Sequence, residues 1–180
     1  TQCYYSDESF STPVSSTEPG PVFCDFSADG YRLPTEGEWE FFARAGTTGP
    51  FSVREPNYNE KTHYEGGASD LPKLARVAVF NPMEKSRTWP VRSLKPNPWK
   101  LYDVHGNVWE WAWDVYDNYP KGTQTDYAGP LVSSLGVLDR SLRSGGWTSP
   151  GAKWVRSAAR GHGLDGYIDK GFRLVRTLEV

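Results

Sequence analysis

Three strongly patterned blocks near the C-terminus constrain this 180-residue chain more than any other feature: Arg143-Ser-Gly-Gly-Trp147, Arg156-Ser-Ala-Ala-Arg160 and Gly171-Phe-Arg-Leu174. Between the second and third lies Gly161-His-Gly-Leu-Asp-Gly-Tyr167. That run has neither the 3.6-residue period of a helix nor the two-residue period of a strand. A fold built on this chain has to hold an unpatterned segment in place from its ends.

The length suits one domain with a sizeable core. Eight Trp, ten Tyr and eight Phe stand beside 18 Gly and 14 Pro. Stability is therefore expected from buried aromatics in a loop-rich fold. The net charge is −2 and no basic run exists, so nucleic-acid binding has no electrostatic support. No apolar stretch approaches the ~20 residues that span a bilayer, and no signal peptide is visible. The chain opens at Thr1 without Met, as a processed form or a fragment would. Cys3 and Cys24 are compatible with a disulfide in an exported protein and equally with two thiols.

Residues 1–27 read as an irregular segment, possessing at most a strand at Val22–Phe26, and residues 28–180 read as the domain. The clearest helix is Pro34-Thr-Glu-Gly-Glu-Trp39-Glu-Phe-Phe-Ala-Arg-Ala-Gly46. Thr35 is its N-cap, Glu38 completes a capping box, Trp39, Phe42 and Ala43 give one apolar face, and Gly46 is placed as the stop. Residues 47–100 carry seven prolines and read mostly as loop, with strands at Ala75–Phe80 and, on an edge, Thr88–Val91. Trp109, Trp111 and Trp113 alternate along a strand whose aromatic face is expected in the core. Residues 115–138 read as a second loop, followed by strands at Arg140–Arg143, Val155–Ala159 and Gly171–Arg176. Short elements scattered among long loops indicate the α+β class.

Taken in order, Gly30-Tyr-Arg-Leu-Pro-Thr-Glu-Gly-Glu-Trp39-Glu, Gly106-Asn-Val-Trp-Glu-Trp111 and the C-terminal blocks from Leu142 to Arg173 resemble the formylglycine-generating-enzyme group of C-type-lectin-like folds, over roughly residues 28–176. In members with oxidase activity a cysteine pair, bound to copper, follows the Gly-Gly-Ser-Trp-like motif. That chemistry needs thiolates. Here the segment reads Trp147-Thr-Ser-Pro-Gly-Ala-Lys-Trp154, without cysteine, so the formylglycine-generating activity is not expected.

A second branch of the fold is similar: the variable proteins of diversity-generating retroelements, most closely the treponemal type, which are surface lipoproteins. The resemblance implies a hypervariable segment, here within 143–176, diversified at adenines, typically in Asn codons of the form AAY. Such codons can yield Thr, Ser, Pro, Gly, Ala, His, Leu, Asp and Tyr, but not Trp, Lys, Glu, Gln or Met. Thr148, Ser149, Pro150, Gly151, Ala159, Gly161, His162, Gly163, Gly166, Tyr167 and Asp169 lie in the permitted set. Leu164 and Asp165 are permitted too, while Trp154, also counted on this surface, is not and is either fixed or arose otherwise. Rigid aromatics beside small polar residues suit recognition. An ordinary Gly-rich surface loop is the plainer alternative.

In the resembling proteins an oxygen cage holds calcium, and Asp103, Gly106, Val108 and Glu110 match its two side chains and two main-chain carbonyls. Hydrogen bonding to turn amides is the alternative that needs no ion. His63, His105 and His162 form no metal or catalytic motif, and no Gly-x-Ser-x-Gly elbow exists. Arg143, Arg156, Arg160 and Arg173 are expected to tie loops to carbonyls and to Glu36, Glu38 or Glu40 more than to bind an anion. Trp39, Trp147 and Phe172 are expected in the core.

The sequence thus predicts a non-enzymatic, monomeric, surface-displayed domain of C-type-lectin-like fold. It would bind an unknown protein or small ligand through outward-pointing side chains of 148–169. It would need no cofactor beyond calcium, and would meet a membrane only through a lipid anchor outside these residues. The rivals are an iron-dependent enzyme of the same superfamily and a fixed accessory domain with a contiguous apolar interface.

Overall fold

The computed structural model describes residues 1–15, 21–52, 71–81, 87–134, 136 and 139–178. His63 and most of the first loop lie outside them. The fold is C-type-lectin-like, of the α+β class, with short strands in long loops. Two compact units form: Thr1–Pro34 with Arg173–Val180, and Thr35–Phe172.

In the first unit, β1 (Tyr4–Tyr5) pairs antiparallel with β2 (Phe23–Cys24), and β3 (Tyr31–Arg32) pairs antiparallel with a last strand, Val175–Arg176. Tyr4 lies directly opposite Cys24. Both cysteines are buried thiols and no disulfide joins them. Arg32 is buried, stacked 4.9 Å over Phe26, with Nη1 donating to the Leu33 carbonyl.

In the second unit, α1 spans Glu36–Arg44. Thr35 Oγ1 accepts from Glu38 N–H, and the Glu38 carboxylate accepts from Thr35 N–H, so the expected capping box is complete. The helix stops one residue earlier than expected. Ala45 takes the left-handed cap at φ 47°, and Gly46 follows at φ 79°. Trp39 and Ala43 are fully buried against Val104, with Phe42 and Leu101 at the margin.

Strands β4 (Trp109–Val115), β5 (Arg140–Arg143), β6 (Gly161–Gly163) and β7 (Lys170–Gly171) form one sheet in the order β6-β5-β4-β7. All pairs are antiparallel except β4 with β7. The final strand, Val175–Arg176, is β8. Three strand expectations fail. Ala75–Phe80 follows a short helix, α2 (Leu71–Leu74), as a turn with one bridge from Val79 to Gly106. Thr88–Val91 is irregular, and 155–159 is a turn after a single 3-10 turn at Ala152–Trp154.

Strand β4 inverts the predicted facing. Glu110, Ala112 and Asp114 are buried, while Trp109, Trp111 and Trp113 are half-buried. Trp39 explains the inversion, because its indole N–H donates to Glu110 Oε2 at 2.7 Å and fixes the carboxylate face toward α1. A second core cluster joins Phe51, Leu74, Val77, Ala78, Phe80, Ala152 and Val155.

Candidate ligand-binding face

The C-terminal segment hangs on two arginines, one buried and one half-buried. Arg143 is fully buried on β5. Its guanidinium donates to Glu36 Oε1 at 3.1 Å, to the Ser157 carbonyl at 2.6 Å and to the Glu40 carboxylate. Arg160 grips the same Glu36, with Nη2 at 2.7 Å from Oε2, and donates to the Asp117 carbonyl at 2.9 Å. The expectation that arginines tie the loops to Glu36 and Glu40 holds for these two, while Glu38 is spent on the cap. Burying these charges is tolerable because each is paired and hydrogen-bonded.

The tryptophan stripe is the platform under this segment rather than core. A Cβ on Gly161 would lie 3.0 Å from the Trp109 ring, and one on Gly163 would lie 3.4 Å from Trp111 and 2.6 Å from Lys170 Nζ. Lys170 in turn sits 5.2 Å over Trp111 and donates to the Asp165 carbonyl at 2.8 Å. Trp113 carries Arg140 at 4.5 Å.

On this support the proposed surface residues separate into two groups. Pro150, Trp154, His162, Leu164, Asp165, Gly166 and Tyr167 are exposed, with Leu164 and Tyr167 at 66% and 67%. Nothing lies near a Cβ built on Gly151 or Gly166. The others do not point outward as expected. Ser149 is buried and its hydroxyl accepts from Gly146 N–H at 3.1 Å. Ala159 is buried. Asp169 is buried, takes the Thr148 hydroxyl, and its carbonyl accepts Trp109 N–H at 2.7 Å. Gly161 and Gly163 have their side-chain directions closed by the platform. Phe172, expected in the core, is 65% exposed, and Trp147 is half-buried. Ile168, not anticipated, is 71% exposed.

His162 stacks on Tyr116 with ring centroids 4.5 Å apart, and its Nδ1 meets the Asp139 carboxylate. Tyr116 also stacks on Arg160 at 4.6 Å. Tyr116, Asp139 and Lys170 were invisible as site residues in the sequence, because each acts through a neighbour brought near by the sheet.

Three of the four groups proposed for calcium accept hydrogen bonds from protein donors. Asp103 Oδ2 accepts Arg92 N–H at 2.9 Å, Glu110 Oε2 accepts Trp39, and the Gly106 carbonyl accepts Val108 N–H at 3.0 Å and Ser144 Oγ–H at 3.1 Å. Among the described residues no three His, Cys, Asp or Glu are placed to hold a metal ion. No helix among them is long and apolar enough to cross a membrane.

A model described as the sulfatase-modifying factor enzyme 1-like domain matches residues 3–178. The serine/threonine-protein kinase pkn1 of Chlamydia caviae is 38% identical over 122 residues, covering 67% of this chain and 16% of its own length. The formylglycine-generating enzyme of Streptomyces coelicolor is 34% identical over 113 residues, covering 61% of this chain and 35% of its own. Among solved structures, Treponema denticola variable protein 1 matches with a TM-score of 0.73 at 29% identity, covering 96% of this chain and 61% of that one. The chain spans less than two thirds of each of these proteins.

Proposed function

The chain belongs to the sulfatase-modifying factor enzyme 1-like family, and we propose that within it this member binds ligands rather than catalysing a reaction. One observation carries the reading. The large side chains of Trp154, Leu164, Tyr167 and Ile168 stand exposed on a backbone held by hydrogen bonds from Lys170 Nζ to the Asp165 carbonyl and from Trp109 N–H to the Asp169 carbonyl. Exposed apolar side chains gathered on one segment mark interaction sites more often than scattered ones do. The likeness to a treponemal variable protein supports the same use of this segment.

Catalysis by the family's cysteine pair has no residues to work with. Residues 148–176 contain no cysteine, and Cys3 and Cys24 are buried beside other strands. We further propose that a retroelement diversifies the exposed positions, and that the protein is displayed at the cell surface. The separation of exposed from buried positions supports the first. A side chain with no contacts can be exchanged at a cost of about ±0.5 kcal/mol.

The test is to sequence the 3′ end of the gene, with any sister copies, across a passaged population. Substitutions at adenines confined to Pro150, Gly151, His162 and 164–167, with Arg143, Trp147 and Arg156 unchanged, support the reading. An invariant segment, or changes spread evenly along the gene, would sink diversification and leave a fixed binding domain.

A further inference from the structure

We propose that a cavity beside the first turns of α1 binds one neutral sugar residue, at a site separate from the exposed C-terminal run. The cavity measures about 440 Å³ and is lined by Glu36, Gly37, Glu40, Tyr119, Arg156 and Ala158. That is the size of a small-molecule site. None of the six is a proposed variable position, so its ligand would not change with the variable face.

The cavity is open because residue 37 lacks a side chain. Gly37 is the second residue of a nine-residue helix, where glycine is a weaker helix former than alanine. Its φ is not left-handed, and a Cβ there would meet only Thr35 Oγ1, at 4.0 Å. Neither backbone conformation nor crowding calls for glycine, and its physical effect is the open volume. Ala158, also small, adds to it.

The walls carry both signs of charge. Glu36 is engaged by Arg143, Arg160 and Ser141, and Glu40 by Arg44 and Arg143. Little negative charge is left to attract a cation, while the carboxylates beside Arg156 oppose an anion. A ligand here has to be neutral and offer donors and acceptors side by side. Vicinal hydroxyls do this, since each is one donor and two acceptor lone pairs. They can take hydrogen bonds from Arg156 and give them to Glu40. Tyr119 supplies the apolar surface. Arg160 lies 4.1 Å from its ring centroid, yet the residue is 60% exposed, which leaves ring surface for the C–H face of a pyranose.

Titration of isotope-labelled protein with methyl α-D-mannopyranoside, methyl β-D-galactopyranoside and methyl β-D-glucopyranoside tests this. At least one glycoside, at millimolar concentration, should shift the Gly37 amide and the Tyr119 ring saturably. Gly37→Leu should abolish the shifts without lowering the melting temperature, because leucine is the better helix former. Replacing Leu164 and Tyr167 with alanine should leave them intact, whatever the fate of the variable-face reading. No saturable shift with any of the three overturns the proposal. So does a shift that survives Gly37→Leu or is lost with Leu164 and Tyr167, or a response to free glycine or inorganic phosphate in place of the glycosides.

Discussion

The buried imidazole of His105 ties together two segments 50 residues apart, its Nδ1–H donating to the Val155 carbonyl at 2.9 Å. The tautomer follows from the other side of the ring. Nε2 accepts Ser52 N–H at 3.0 Å and also meets Ser52 Oγ at 2.8 Å, so the proton belongs to Nδ1. Neutral His105 therefore anchors the turn after the 3-10 helix, at the root of the candidate face.

Burial pushes the His105 pKa down from 6.5 to about 4. The unfolded chain accepts a proton that the folded one refuses, so this group makes stability fall as the pH drops from about 6.5 to about 4. Asp114 acts in the opposite sense. Burial, aided by the charge of Glu36 and opposed by the Glu36 N–H bond, pushes its carboxyl up to about 6. The folded state then keeps the proton longer, and stability from Asp114 is lost as the pH rises from about 4 to about 6. The two slopes oppose each other. Asp114→Asn keeps an oxygen to accept Glu36 N–H and should expose the His105 slope, worth up to about 3 kcal/mol over the window. Urea midpoints from pH 4 to 7 in both proteins measure it, and parallel profiles would refute the assignment.

Removing Arg143 should leave Glu36 and Glu40 short of a buried partner. Arg143→Ala is expected to cost about 3–5 kcal/mol, read by chemical denaturation. The Arg44–Glu40 pair is a quarter exposed on both sides, and Arg44→Ala should cost no more than about 1 kcal/mol. Equal losses would mean that Arg143 acts by packing on Trp39, 5.3 Å away, rather than by charge.

The glycines of the C-terminal run should divide sharply. Gly161→Val forces a side chain against Trp109 and is expected to cost about 1–3 kcal/mol. Gly166→Ala enters open space and should change stability by no more than about ±0.5 kcal/mol. Thermal melts of the two variants compare them, and the reverse order would show that the platform does not hold the run.

Calcium should not matter to the fold. Because Asp103, Gly106 and Glu110 already satisfy protein donors, EDTA or millimolar calcium is expected to leave the melting temperature unchanged. A calcium-dependent rise would show that these hydrogen bonds give way to an oxygen cage.

Local signals in the chain were enough for α1, whose capping box and apolar spacing act within four residues. They were enough for a strand over the alternating tryptophans, since a two-residue period is local as well. They were not enough for its facing. Alternation says that two sides differ, not which is buried, and the decision came from Trp39, whose indole needed Glu110 as acceptor. The strand partner was illegible for a similar reason. Gly161–Gly163 has weak strand propensity of its own, yet it pairs with β5 because small residues lie flat on Trp109 and Trp111.

By itself the sequence determined the family frame, the cysteine-free segment after Trp147 and the arginines that would hold it, because these are matters of residue identity and spacing. Which side chains of that segment reach solvent was decided by the tertiary structure alone. Ser149, Ala159 and Asp169 are as small or polar as their exposed neighbours. Ser149 is buried with its hydroxyl taking Gly146 N–H, and Asp169 with its carboxylate taking the Thr148 hydroxyl and its carbonyl taking Trp109 N–H from β4. Exposure is a property of the packed neighbourhood, and no residue carries it in its own chemistry.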